Sequence, residues 1–113
     1  MGNLEQLEQL ELDIKDAQRV IKLRGALNLL AKDTNFKLLI ESEYFEQESI
    51  RLVQAKSNPA LQSDEQQKFI HNSMLGIGAL QQYFNKIQVL GEQAEVALVA
   101  QENTQAELLG MGD

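Results

Sequence analysis

Three groups of residues in this chain have the chemistry to act on something. The first is His71, the only histidine, in a chain with no cysteine. A histidine works as a general base when a nucleophile or an orienting carboxylate stands beside it. At helical spacing the neighbours of His71 are Gln67, Lys68, Met74 and Leu75, none of which takes either role. The second group is Glu41, Glu43, Glu46 and Glu48 around Tyr44 and Phe45. Carboxylates this dense suit a metal, but a di-metal bundle draws on Glu-x-x-His pairs and an EF-hand loop on alternating Asp/Asn. Both patterns are missing. The cluster reads as a solvated helix face, or as an edge that binds a partner through Tyr44 and Phe45 as anchors. The third group is Lys15, Arg19 and Lys22, in one line at i, i+4 and i+7, with Arg24 nearby. Such a stripe suits phosphates, yet Glu8, Glu11 and Asp16 lie within a turn as ion-pair partners, and no helix-turn-helix pattern follows. There is no Gly-rich phosphate loop, no Ser/His/Asp order and no nucleotide fingerprint. The sequence therefore predicts a non-enzymatic protein with no catalytic, cofactor-binding or metal site and no cofactor.

Composition points the same way. The 113 residues suffice for one domain and are too few for two well-buried ones. Apolar residues make up 43 %, but aromatics only 5 %, with no Trp, so the expected core is thin and aliphatic. The absence of cysteine excludes disulfides and Cys-type metal sites. No apolar run approaches the ~20 residues of a membrane helix. The N-terminus carries glutamates where a signal peptide carries lysines, so the chain is expected to be soluble and intracellular. A net charge of −7 argues against nucleic acid as a partner. Basic residues concentrate between Lys15 and Lys37, whereas nothing after Lys86 is basic and Glu92, Glu95, Glu102, Glu107 and Asp113 follow. These are two ordinary solvated faces, or a means for the first helix of one copy to meet the acidic arm of another.

The elements that must carry these groups are helices. The first is expected over about residues 3–30, from Leu4, Leu7, Leu10, Ile14, Ala17 and Ile21 and then Val20, Leu23, Leu27 and Leu30. Gly25 weakens it by about 1 kcal/mol and marks close packing or a bend. Asp33 or Thr34 caps a second helix over about 35–56, whose broad apolar face runs through Phe36, Leu39, Ile40, Tyr44 or Phe45, Ile50, Leu52 and Val53. Pro59 stops it and pushes Asn58 out of the helical region. Ser63 and Gln66 then form a capping box, with Asp64 and Glu65 at the positive end of the dipole of a third helix.

That third helix, over about 64–108, is the long one, and residues 110–113 are expected to form a flexible tail beyond a single domain of residues 1–109. Steps of seven link Ile70, Ile77, Phe84, Gly91 and Leu98, interleaved with Ser73, Leu80, Ile87 and Ala94, a coiled-coil-like seam. At 1.5 Å per residue it runs to roughly 67 Å, more than two short helices are expected to cover. Gly76 and Gly78 imply close packing or a kink; a break there would make four helices of three. The fold class is all-α: a three-helix bundle or hairpin with a long C-terminal amphipathic helix whose leftover seam self-associates. The interaction residues read from the sequence are Ile70, Ile77, Leu80, Phe84 and Ile87, with Tyr44 and Phe45.

Much of the chain from Asn35 onward also resembles a known group. Asn35-Phe36-Lys37-Leu38-Leu39-Ile40, Tyr44-Phe45, Arg51-Leu52-Val53, Asn58-Pro59, Gln62-Ser63 and Ile77-Gly78-Ala79-Leu80-Gln81-Gln82-Tyr83-Phe84 are similar to small acidic helical proteins of tailed bacteriophages. The group has no assigned activity and transfers no functional residue. What the resemblance implies is a virion structural or assembly component: a minor capsid or head-tail protein, a scaffold or an assembly chaperone. Its partners would be itself and other virion or assembly proteins, not a membrane. Its place would be the host cytoplasm during assembly, or the virion, without secretion. The alternative is a small acidic effector that binds and inhibits a host protein.

Overall fold

The computed structural model describes residues 2–111, and every regular element among them is helical. Helix α1 is Gly2–Leu30. Helix α2 is a continuous run over residues 34–57 whose middle, Lys37–Gln47, is wound as a π-helix. A single 3-10 turn, Pro59–Leu61, leads to α3, Asp64–Met111. The protein is all-α with one long C-terminal helix, and no described helix is long and apolar enough to cross a membrane.

The helix starts follow from local hydrogen bonds. Asp33 accepts from the Phe36 N–H at 2.9 Å, which settles the N-cap between Asp33 and Thr34. Ser63 and Gln66 form the reciprocal box: the Gln66 N–H donates to Ser63 Oγ at 3.1 Å and the Ser63 N–H to Gln66 Oε1 at 3.3 Å. Asn58 is extended, as the following proline requires, and its side chain accepts from the Ala60 N–H.

Helix α3 runs without a break through Gly76 and Gly78, so the three-helix reading holds among the described residues. Two other expectations are corrected. A Cβ at Gly76 would meet only the Tyr44 hydroxyl, at 3.6 Å, and at Gly78 or Gly25 nothing within 4 Å, so none of the three marks a close approach. The helix also carries past 108 through Gly110 to Met111; residues 112–113 of the expected tail lie outside the described residues.

Contacts gather into two compact units. One joins the residues up to Leu27 to those from Lys86 onward; the other is residues 28–85. In the first, α1 lies antiparallel to the C-terminal part of α3: Gln6 and Leu10 flank the same groove as Thr104 and Leu108, and Arg24 reaches Glu95. Both inner faces keep a seven-residue repeat. Leu7, Leu10, Ile14, Ala17, Ile21 and Arg24 face inward from α1, and Ile87, Gly91, Ala94, Leu98 and Gln101 from α3.

In the second unit α2 and the start of α3 form a helical hairpin. Its core is Leu52, Ile70 and Ile77, with Tyr44, Phe45, Ala55, Leu61 and Met74 packed against it. The π winding explains which residues of α2 reach that core. Each hydrogen-bonded loop holds one more residue than in an α-helix, as in the Glu48 N–H bond to the Glu43 carbonyl. Phe36, Ile40, Phe45 and Ser49, spaced four, five and four apart, therefore share the inner side. Leu39, Ile50 and Val53, expected on the apolar face of a regular helix, are turned outward and exposed.

Candidate interaction surface

The residues expected to bind a partner are spent inside the chain. Ile70 and Ile77 are buried, and Leu80, Phe84, Ile87, Tyr44 and Phe45 are half-buried. Phe84 meets the Phe36 ring edge-on at 5.9 Å between centroids and the Phe45 ring at 6.2 Å, the arrangement aromatic quadrupoles favour. Every residue of the seam from Ile70 to Leu98 is buried or half-buried. Within the second unit α2 covers it, and within the first unit α1 does. The expectation that a leftover stretch of seam remains for a second copy is therefore corrected: seven-residue spacing marks the side of α3 that faces other helices, and those helices belong to the same chain.

The surface holds a different set. Among the described residues five apolar side chains are buried, Ala17, Leu27, Leu52, Ile70 and Ile77, and none is fully enclosed. Large apolar side chains such as Leu38, Leu39, Phe69, Leu75 and Tyr83 in the second unit, and Val96 and Val99 in the first, stand exposed. Phe69 is the most pronounced aromatic case, 72 % exposed. It borders a groove of about 510 Å³ at the closed end of the α2–α3 hairpin, lined by Leu52, Ala55, Leu61, Glu65, Gln66 and Ile70.

That end of the hairpin is braced. Gln67 Nε2 donates to the Leu61 carbonyl at 2.8 Å and to the Lys56 carbonyl at 3.2 Å, while Gln62 Nε2 donates to the carbonyls of Lys56 and Asn58. The two bonds to Lys56 satisfy a carbonyl that the end of α2 leaves without a helical partner, and the others hold the carbonyls of Asn58 and Leu61 in the turn that follows. They tie the turn to both helices, so the groove beside it has fixed walls.

Some of the charged groups form ion pairs. Arg51 bonds Glu48 at 2.7 Å and lies 3.9 Å from Glu43; its hydrogen bond to the Glu48 carboxylate, then their charge attraction, raise the guanidinium pKa further. Arg19 pairs with Asp16 at 3.1 Å on the exposed side of α1, where Lys15 and Lys22 also lie. His71 is exposed. Among the described residues no group of three His, Asp or Glu side chains is placed to hold a metal ion.

No family model, curated protein or solved structure matches the chain.

Two features escaped the sequence reading. Arg24 occupies an inward position of the α1 repeat, its side chain only 15 % exposed, and pairs with Glu95 across the helix pair. Opposite it, a Cβ at Gly91 would fall 2.7 Å from Arg24 Cβ and 2.6 Å from Cδ. Gly91 thus makes room for the arginine stem. The signal was present in two seven-residue repeats, one interrupted by a large cation and the other by a residue with no side chain. One base of the Lys15–Lys37 stretch thus meets one acid of the C-terminal stretch within the same chain. Phe69 was missed because it sits one place off the seam, beside Ile70, where apolar periodicity does not look.

Proposed function

We propose that this is a non-catalytic helical protein that works by binding other proteins, as a structural or assembly component of a phage particle. The observation that carries the protein-binding reading is the balance of apolar surface. A core of a few aliphatic side chains is accompanied by exposed Leu38, Leu39, Phe69, Leu75 and Tyr83 within one small unit. Of these, Phe69 lines an apolar groove with Leu52, Ala55, Leu61 and Ile70, and an exposed ring beside an apolar recess suits a contact surface. The phage context is supported by the resemblance of residues 35–84 to small acidic helical phage proteins. The spread of polar groups along the helices, with no cluster of three His, Asp or Glu among the described residues, supports a role without chemistry.

The test is particle assembly. Gradient-purified particles from cells carrying the gene should contain the chain, or particles made without it should be fewer or malformed. Particles that lack the chain and form normally in its absence would overturn the assembly role.

A further inference from the structure

Helix α2 carries two apolar lines that regular α winding would not bring to one side. Phe45, Ser49, Leu52 and Ala55 follow one another at steps of four, three and three, so an α-helix keeps them together. Phe36 and Ile40, four apart, form the second line. At about 100° per residue, Ile40 would stand about 120° around an α-helix from Leu52, and Phe36 about 160°. In the structure both lines face the same core. Leu52 is buried with Phe45 packed against it, Ile40 is half-buried, and the rings of Phe36 and Phe45 both meet Phe84. The two lines are reconciled within Lys37–Gln47, the 11 residues of π winding.

The residues of this segment show why α winding is refused. With Phe45 and Leu52 held in place, it would turn Phe36 and Ile40 outward and bring Glu41 to about 20° from Leu52. The buried members of that core, Leu52, Ile70 and Ile77, are all aliphatic, and a carboxylate turned among them loses water without gaining a partner. Removing one residue between Ile40 and Phe45 would change the outcome. Their spacing becomes four, and α winding then leaves Ile40 about 20° and Phe36 about 60° from Leu52. The helix therefore holds one residue more than its packing requires. Pi winding mostly occurs as single-turn bulges, and a run of 11 residues spreads the surplus over more than one turn.

We propose that Lys37–Gln47 is a register joint: its π winding absorbs one surplus residue between two apolar lines of α2, and that winding sets which side of the N-terminal part of α2 meets α3. The joint makes the rotation of Phe36 and Ile40 adjustable independently of Phe45 and Leu52.

Deleting Ser42 from the full chain tests this, since it removes one residue between Ile40 and Phe45 and leaves the charge unchanged. Helicity should be kept, Tm should stay within about 5 °C of the wild type, and the Phe36–Phe84 contact should persist as a nuclear Overhauser effect between the rings. The Glu48 N–H, which bonds the Glu43 carbonyl, should bond the Tyr44 carbonyl instead, visible as a scalar coupling across the hydrogen bond. Deleting Glu43 should do the same, because either residue can be the surplus one. Deleting Asn72, exposed in α3, is the contrast: it turns Ile70 about 100° away from Ile77 and should lower Tm by about 10 °C or more. Either α2 deletion behaving as described supports the joint. Both melting as low as the Asn72 deletion, or both folding without the Phe36–Phe84 contact, overturns it. A Ser42 deletion in which Glu48 still bonds the Glu43 carbonyl overturns it as well, because the π winding would then not depend on a surplus residue.

Discussion

Gly91 and Gly78 lie in the same helix, thirteen residues apart, and adding one methyl group should act on them in opposite directions. In a helix interior Gly→Ala gains about 1 kcal/mol, because alanine loses less backbone freedom on folding. At Gly78 a Cβ meets nothing within 4 Å, so Gly78→Ala should realise that gain, roughly 4 °C in Tm for a chain of this size. At Gly91 the same atom would lie 2.6 Å from Arg24 Cδ and 2.7 Å from Arg24 Cβ. The Cδ end can swing aside, but Cβ moves only with the backbone, so the helix pair must separate locally and the Arg24–Glu95 pair is strained. Overpacking of this kind costs about 1–3 kcal/mol, which cancels the propensity gain and leaves Gly91→Ala between neutral and about 2 kcal/mol less stable. Thermal and urea unfolding followed by circular dichroism, at one protein concentration, gives both values. Arg24→Ala should relieve part of the clash, leaving a coupling of about 1 kcal/mol in the double-mutant cycle with Gly91→Ala. A Gly91→Ala variant as stabilised as Gly78→Ala would refute the close approach of α1 to α3 at this point.

Other changes have equally direct readouts. Ser63→Ala breaks the capping box and should lower stability by about 1 kcal/mol, seen as a fall in urea midpoint with an unchanged slope; no change would mean the start of α3 is held by other contacts. Ile77→Ala, in the core with Leu52 and Ile70, should cost about 2–5 kcal/mol. Ile77→Asp and Phe84→Asp should lower helicity and Tm, because these side chains face their own chain; variants that stay fully helical and change only the oligomer mass would return the seam to the role of an intermolecular contact. Glu95→Gln should destabilise the chain by about 1 kcal/mol by leaving Arg24, 15 % exposed, without a charged partner, whereas a neutral result would show that the pair adds nothing beyond the packing of the arginine stem.

The parts of this protein written in its sequence are those settled within a few residues. Asp33 caps α2, Ser63 and Gln66 start α3 and Pro59 ends the helix before it, because each acts through a backbone group two to four positions away. The seven-residue repeat likewise marks which side of α3 faces other helices, since that depends only on helical geometry. Tertiary structure decided what covers that side. Arg24 meets Glu95 and Gly91 across some seventy residues of chain, and no local pattern says whether such a seam is closed in cis or by another copy. The same holds for α2. Its π winding turns Leu39, Ile50 and Val53 outward, where an α-helix was expected to bury them. Phe69 stands at a groove only because α2 folds back beside α3, so its exposure is a property of the hairpin and not of any stretch of sequence.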